Sequence, residues 1–296
     1  MKRILVTGGT GMVGRHLQGI LEDDSIYIGS NIDLRDWIAV NTLFDKIKPT
    51  HVIHLAAKVG GIQDNIAKPA EYFDDNILMN TNVLKASKLY NVKRFIGILS
   101  TCVYPDTVES YPMNEEDLFL GPPAITNFSY GYAKRCLAVQ INAYNKQYKT
   151  KYNYLIPCNL YSELDNFEHG NKMHFITALL KKIKESDGTL NLLGTGKPLR
   201  QFMYSGDFAR VIKEVVDRDI TESFNVAPDY NYSINEMAEA ALESLSKDYE
   251  IAYSKPELDG QYRKDVSSEK LKIILPNFEF TSLKKGMKMV YDKISQ

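Results

Sequence analysis

The sequence predicts an α/β protein built on a doubly wound parallel sheet, with a smaller α/β domain at its C-terminal end. Three observations carry this expectation. Short apolar strands alternate with longer helical stretches through the first half, the order that argues for parallel strands with helices on both faces. A glycine-rich turn lies between the first strand and the first helix. The chain has 296 residues, above the usual single-domain size, so one large domain or two coupled ones are expected. The pattern loses regularity after Tyr154-Leu155-Ile156-Pro157. The boundary is therefore placed near Asn159: residues 1–159 form the first domain and residues 160–296 the second, with some later segments returning to the first.

Arg3-Ile4-Leu5-Val6-Thr7 reads as a strand and runs into Gly8-Gly9-Thr10-Gly11-Met12-Val13-Gly14, followed by a helix from about Val13 to Leu21. Gly8, Gly11 and Gly14 keep three-residue spacing where backbone must approach a pyrophosphate at a helix N-terminus. This marks a Rossmann-type dinucleotide site, with Met12 and Val13 entering the same helix. Ile26-Tyr27-Ile28-Gly29 is the second strand, and an acid at its end would grip the ribose hydroxyls of NAD. Ser30 and Asn31 occupy that point instead, and the missing acid favours NADP. Asp33 and Leu34 come later, with Asp33 placed to touch the adenine; Arg35 reads as solvated.

His51-Val52-Ile53-His54-Leu55-Ala56-Ala57 is a buried strand whose end, Leu55, Ala56 and Ala57, suits close contact with a cofactor. His51 and His54 read as core or strand-end residues. Lys58 to Ile62 is a loop, and a helix follows from about Pro69 to Tyr90. Arg94-Phe95-Ile96-Gly97-Ile98-Leu99 is a strand ending at Ser100-Thr101-Cys102. Ligands of doubly wound sheets sit at the carboxyl ends of strands. That places Ser100 and Cys102 at the site, and their matching parity points them to one side. Pro157, Asn159 and Leu160, where the next strand gives out, join the cofactor set.

Tyr130 and Lys134 stand four apart in Tyr-Gly-Tyr-Ala-Lys, on one helix face. An ammonium beside a phenol favours the phenolate, so Lys134 is expected to lower the Tyr130 pKa and make a proton donor matched to an alkoxide. Tyr132 is two residues from Lys134 and faces away.

Glycine loop, strand-end serine and Tyr-x-x-x-Lys together resemble the extended short-chain dehydrogenase/reductase superfamily. Within it, four stretches are similar to the GDP-L-fucose synthases: Pro49 to Gly61, Ser100-Thr101-Cys102-Val103-Tyr104-Pro105, Asn127 to Arg135, and Asp165-Asn166-Phe167. The resemblance implies an NADP(H)-dependent enzyme acting on a GDP-linked 4-keto-6-deoxy sugar, epimerising carbons 3 and 5 and reducing carbon 4. It implies a catalytic set of Ser100, Cys102, Tyr130, Lys134 and His174, the last as partner of the cysteine, with His169 a weaker candidate. It places Arg200 on the nucleotide diphosphate, which suits a guanidinium fork, with Lys181, Lys182 and Arg263 as lesser contacts. Related dehydratases carry Asp-Glu where this chain has Cys102 and Val103, which disfavours dehydration. Family members usually continue Asn-x-x-Gly-Pro-His-Asp-Asn; here Ser162, Glu163 and Leu164 replace Gly, Pro and His, and Cys158 replaces Thr. The added carboxylate is expected to border the sugar pocket. The alternatives are a simple 4-reductase, an enzyme for another GDP-4-keto-6-deoxy sugar such as a heptose, or a non-catalytic nucleotide sensor on the same fold.

The superfamily also implies a homodimer, with the helices at about 76–90 and 129–148 pairing across a two-fold axis and burying Tyr132, Val139 and Tyr144. The remaining C-terminal helices, about 235–245 and 283–294, read as packing. Net charge is −1, with no basic excess for a nucleic-acid partner. An anionic substrate must therefore be held by a local cationic site. Cys102, Cys136 and Cys158 have no metal-ligand spacing and form no even-numbered framework, so no metal and a reducing, cytoplasmic setting are expected. The chain enters a strand at once, so no signal peptide is expected, and no apolar run is long enough for a membrane span.

Overall fold

The computed structural model describes residues 2–21, 25–165, 174–256, 259 and 261–296. The strands of the first half are Ile4–Thr7 (β1), Ile26–Ile28 (β2), His51–His54 (β3), Arg94–Ile98 (β4) and Asn153–Pro157 (β5). Those of the second half are Asn159–Tyr161 (β6), Thr189–Leu193 (β7), Leu199–Arg200 (β8), Phe202–Tyr204 (β9), Phe224–Val226 (β10), Tyr232–Ser233 (β11) and Glu250–Ser254 (β12). Six of them make one parallel sheet in the order β10-β5-β4-β3-β1-β2. Leu5 of β1 pairs with Ile26 on one side and Val52 on the other. The winding therefore reverses at β1, and such a reversal opens a crevice beyond the carboxyl ends of the strands. Every residue of β1, β4 and β5 is buried, as expected for strands covered on both faces.

The helices of the first half are Met12–Gln18 (α1), Trp37–Ile47 (α2), Ile62–Ala67 (α3), Pro69–Leu89 (α4) and Phe128–Tyr148 (α5). Residue 62 opens a helix of its own rather than ending a loop. Pro69 separates α3 from α4: proline restricts Lys68 before it and starts the next helix at N1. The second half adds Phe175–Glu185 (α6), Ser205–Asp217 (α7), Ile234–Ser244 (α8), Glu269–Ile274 (α9) and Leu283–Ile294 (α10). No helix among the described residues is long and apolar enough to cross a membrane.

Two apolar cores form. The first gathers the sheet and its helices, and it also takes in Phe208 of α7, Phe224 of β10 and Leu271 of α9. The second is built from α6, β7, β9, α8 and α10, around Tyr161, Leu180, Phe202, Met237 and Met287. Three short strand pairs, β6 with β9, β7 with β12 and β8 with β11, lie outside the main sheet.

Asp207, at the start of α7 on the first core, is 1% exposed. Its carboxylate accepts from the Thr281 amide at 2.6 Å, the Thr281 hydroxyl at 2.8 Å and Arg210 at 2.8 Å. Thr281 leads into α10 of the second core, so this carboxylate joins the two. Removing it leaves the half-buried donors of Thr281 unmet. Asp207→Ala is expected to lower unfolding stability in urea by about 2–3 kcal/mol. A change below about 0.5 kcal/mol, the range of ordinary surface substitutions, would show that the link does not matter.

Candidate active site

A cleft of about 1120 Å³ runs from the β1–α1 turn past the ends of β3, β4 and β5 to α6 and β8. Gly8 has φ +71°, and a Cβ there would lie 2.7 Å from the Ala56 amide nitrogen. A Cβ on Gly14 would lie 2.5 Å from the Gly8 carbonyl oxygen. Glycine is therefore required at both places, and the turn presents bare backbone to the cleft. Gly11, Met12 and Val13 line it from the turn, Leu55, Ala56 and Ala57 from the end of β3, and Pro157, Asn159 and Leu160 from the end of β5. Asp33 and Leu34 line it beyond β2. Asn31 does not: its side-chain oxygen accepts from the Gly29 amide at 3.2 Å, which folds it into its own turn.

Arg35 is exposed, with 48% of its side chain open to solvent. It lines the same end of the cleft, and its guanidinium forks onto Asp33 with two bonds of 2.9 Å and reaches Asp75 at 2.9 Å. Hydrogen bonds from Arg35 hold the Asp33 carboxyl down at about 2. An acid that would repel a 2′-phosphate is thus paired with a cation facing the same space.

Ser100, Cys102, Tyr130 and Lys134 all line the middle of the cleft, and Tyr132 does not. Ser100 follows the end of β4 and caps the short turn Thr101–Val103, its hydroxyl accepting from the Cys102 amide at 3.3 Å. Tyr130 and Lys134 lie in the first two turns of α5. Lys134 is 2% exposed, and its Nζ donates to the Ile98 carbonyl of β4 at 2.8 Å. Burial lowers the Lys134 pKa to about 8. The expected lowering of Tyr130 is not found. Burial pushes the phenol well above its ordinary value, the nearby Cys102 adds to this, and the Ser100 hydroxyl offsets only part. Spacing alone put the ammonium on the phenol, whereas the backbone carbonyl of Ile98 holds it.

At Cys102, burial is the largest single influence and pushes the thiol up, but Lys264, Ser100 and Asn127 together outweigh it. The Lys264 Nζ donates to Sγ at 2.9 Å, Ser100 and Asn127 also bond the sulfur, and the thiol ends below its ordinary value. His174 caps α6 and lines the cleft. Its Nδ1 meets the buried Asp165 carboxylate at 3.0 and 3.1 Å, which orients the ring and leaves Nε2 for other contacts. His169, Asn166 and Phe167 lie outside the described residues.

Arg200 of β8 lines the cleft, its Nη1 donating to the carbonyls of Leu199 at 2.7 Å and Tyr262 at 3.3 Å. Two lesser phosphate candidates fall elsewhere. Arg263 forks onto Asp265 at 2.6 and 2.9 Å and packs on the Tyr111 ring, outside the cleft lining. Lys181 is also outside it, while Lys182, the next residue on α6, is inside. Lys264, next to Arg263, lines the cleft and was not among the expected site residues. The altered loop also falls differently. Ser162, Glu163 and Leu164 do not line the cleft. Glu163 accepts from the Tyr204 hydroxyl at 2.8 Å, and Ser162 meets His16 of α1 at 2.7 Å. The added carboxylate is spent on packing the loop against α1 and β9. Among the described residues, no cluster of His, Cys, Asp and Glu is arranged to hold a metal.

Comparison with known proteins agrees with this geometry. Residues 4–227 match the NAD dependent epimerase/dehydratase family model. A GDP-L-fucose synthase from Dictyostelium discoideum is 36% identical over 97% of this chain and 93% of that protein. A GDP-L-fucose synthetase from Naegleria fowleri bound to NADP superposes with a TM-score of 0.88 and 33% identity, covering 99% of this chain and 92% of that one. A GDP-mannoheptose C4 reductase from Campylobacter jejuni with NADP bound gives a TM-score of 0.87 and 26% identity over 100% and 98%.

The buried ammonium has a measurable consequence. The Lys134 pKa near 8 lies below the value of about 10.4 in an unfolded chain, so the folded state binds fewer protons between the two. Stability therefore rises with pH across that window: the burial cost is fully present below pH 8 and gone above about 10.4. Lys134→Met removes the cost and forfeits the bond to Ile98. At pH 7 it is expected to be more stable than wild type by about 1–2 kcal/mol in urea, with the gain shrinking as pH approaches 10, and to lose catalytic activity. A less stable variant at pH 7 would contradict this.

Proposed function

The chain belongs to the NAD dependent epimerase/dehydratase family, and we propose that within it the protein is an NADPH-dependent 3,5-epimerase and 4-reductase converting GDP-4-keto-6-deoxy-D-mannose to GDP-L-fucose. The observation that carries this reading is the meeting of two acid–base sets in one cleft, Ser100, Tyr130 and Lys134 beside Cys102 and His174. Reduction needs only the first set. The second has a task when a carbon acid beside the carbonyl must lose and regain a proton. The named relatives from Dictyostelium and Naegleria support the same substrate class.

The residues fit NADP. The glycine cradle at Gly8 and Gly14 admits a diphosphate against backbone, and Arg35 supplies a guanidinium at the adenosine end. When bound, the cofactor supplies the hydride for carbon 4. Tyr130, whose phenol burial keeps protonated, donates the proton to the forming alkoxide. Ser100 hydrogen-bonds the developing oxyanion, and Lys134 holds the cofactor ribose. Before reduction, the 4-keto group acidifies the protons on carbons 3 and 5. Cys102 takes such a proton: the C–H bond breaks, an S–H bond forms, and the electron pair passes to the carbonyl oxygen as an enolate. His174 returns a proton from the opposite face, its ring oriented by Asp165. Arg200 takes the diphosphate.

A second reading, a 4-reductase alone or one for a GDP-linked heptose, is favoured by the likeness to the Campylobacter C4 reductase. A nucleotide sensor would have no use for the intact Ser100, Tyr130 and Lys134 set. Two copies pair through α4 and α5, where Leu78 is 46% and Val139 52% exposed. All three cysteines are free, which suits a reducing cytoplasm.

NADPH absorbance should fall when purified protein meets the keto sugar, with the product identified as GDP-L-fucose by NMR. Tyr130→Phe should lower kcat by about 100-fold or more with cofactor affinity little changed. Near wild-type turnover in that variant would remove Tyr130 as the acid, and an unepimerised product would favour the 4-reductase reading. Sedimentation should give a dimer at micromolar concentration; a monomer would remove the pairing.

A further inference from the structure

We propose that Lys264 is a positioning residue that holds the Cys102 sulfur as a thiolate facing the sugar, a role that rests on Cys102 being the base of the reading above. The two residues are 162 positions apart in the chain, yet Lys264 Nζ stands 2.9 Å from Sγ. The backbone that carries Lys264 is pinned on both sides. Met113 donates to the Asp265 carbonyl at 2.9 Å, and Ser267 donates to the Met113 carbonyl at 2.8 Å. Gln201 accepts from the Val266 amide at 2.9 Å and donates to its carbonyl at 3.0 Å. The ammonium therefore reaches the thiol from a fixed segment rather than a loose one.

The acids that would otherwise neutralise Lys264 are engaged elsewhere. Asp265 is forked by Arg263 at 2.6 and 2.9 Å. Asp259 takes the Thr195 amide and hydroxyl, each at 2.6 Å. Lys264 itself is only 8% exposed. An ammonium 2.9 Å from Sγ favours the thiolate over the thiol. The other groups facing the thiol do not supply this. Arg200 of β8 attracts the thiolate, but its Nη1 is committed to the carbonyls of Leu199 and Tyr262. Tyr130 of α5 carries a proton, and Ser100 and Asn127 are neutral donors.

In the proton-transfer step the ammonium stays protonated while the sulfur passes from thiolate to thiol. Lys264 thus sets the fraction of Cys102 ready to act as base and does not itself accept the proton. This separates it from a diphosphate contact, which would act on substrate affinity.

The test is the pH profile of Cys102 alkylation by iodoacetamide, read by peptide mass spectrometry without sugar, in wild type, Lys264→Met and Lys264→Arg. Lys264→Met should move the alkylation midpoint up by about one pH unit or more, slowing the reaction at pH 7 by about tenfold. Lys264→Arg should keep most of the wild-type profile. In Lys264→Met, sugar-proton exchange with solvent should fall at pH 7 and recover as pH rises, with affinity for NADPH and GDP unchanged. Superimposable alkylation profiles for wild type and Lys264→Met would overturn the proposal, as would weakened GDP binding with unaltered alkylation. Full proton exchange in Cys102→Ser would instead overturn the base assignment, a failure told apart by an alkylation profile that still shifts.

Discussion

The hydrogen bond from Lys134 to the Ile98 carbonyl, at 2.8 Å and closed to solvent, ties helix α5 to the end of strand β4. Much of the site depends on it. Ile98 ends β4 just before Ser100 and Cys102, and Lys134 lies one turn after Tyr130. Together with the bonds from Arg135 to the Val103 carbonyl, the Lys134 bond fixes the strand-end pair against the helix that carries the phenol. The bond also keeps an ammonium where burial has brought its pKa to about 8, which costs the fold stability and serves the chemistry. Strained or costly groups of this kind concentrate at functional sites because the surrounding structure holds them there.

Around this joint the rest of the cleft is assembled from distant parts of the chain. The β1–α1 turn brings backbone amides, and the missing Cβ of Gly8 lets it close on the backbone of Ala56 beyond β3. The second core delivers His174 on the first turn of α6, with Asp165 behind it, and Arg200 on β8. Asp207 links that core to the first through Thr281. Lys264 arrives from a segment threaded between Met113 and Gln201. The two proposed acid–base sets share one cleft because the end of β4, the start of α5 and the start of α6 all open onto it.

The local features were legible in the sequence. Alternating strands and helices and the glycine spacing at Gly8, Gly11 and Gly14 are short-range patterns, and so is the placing of Tyr130 and Lys134 on one helix in the cleft. What was misread depends on burial or on register. Four-residue spacing puts Lys134 beside Tyr130 but cannot say that the Ile98 carbonyl takes the ammonium. Lys181 and Lys182 differ by one step around α6, and Arg263 and Lys264 by one step along an extended segment. In each pair a single step decides which side chain faces the cleft. Arg35 is solvated as read, but its tie to Asp75, 40 residues away, leaves no local trace. Glu163 looked like a pocket residue because its partners, His16 and Tyr204, come from other elements. Long-range pairs of this kind leave no periodic trace.

The central claim is that one cleft both epimerises and reduces, with Cys102 drawing a proton from carbon beside the ketone. Incubation of the keto sugar with wild-type protein in deuterium oxide, without NADPH, tests it most directly. NMR should show deuterium at carbons 3 and 5 with wild type and little at either with Cys102→Ser. His174→Gln should still label the first centre but fail to invert it. Reduction of the sugar by wild-type protein with no deuterium incorporated would contradict the account and leave a simple 4-reductase.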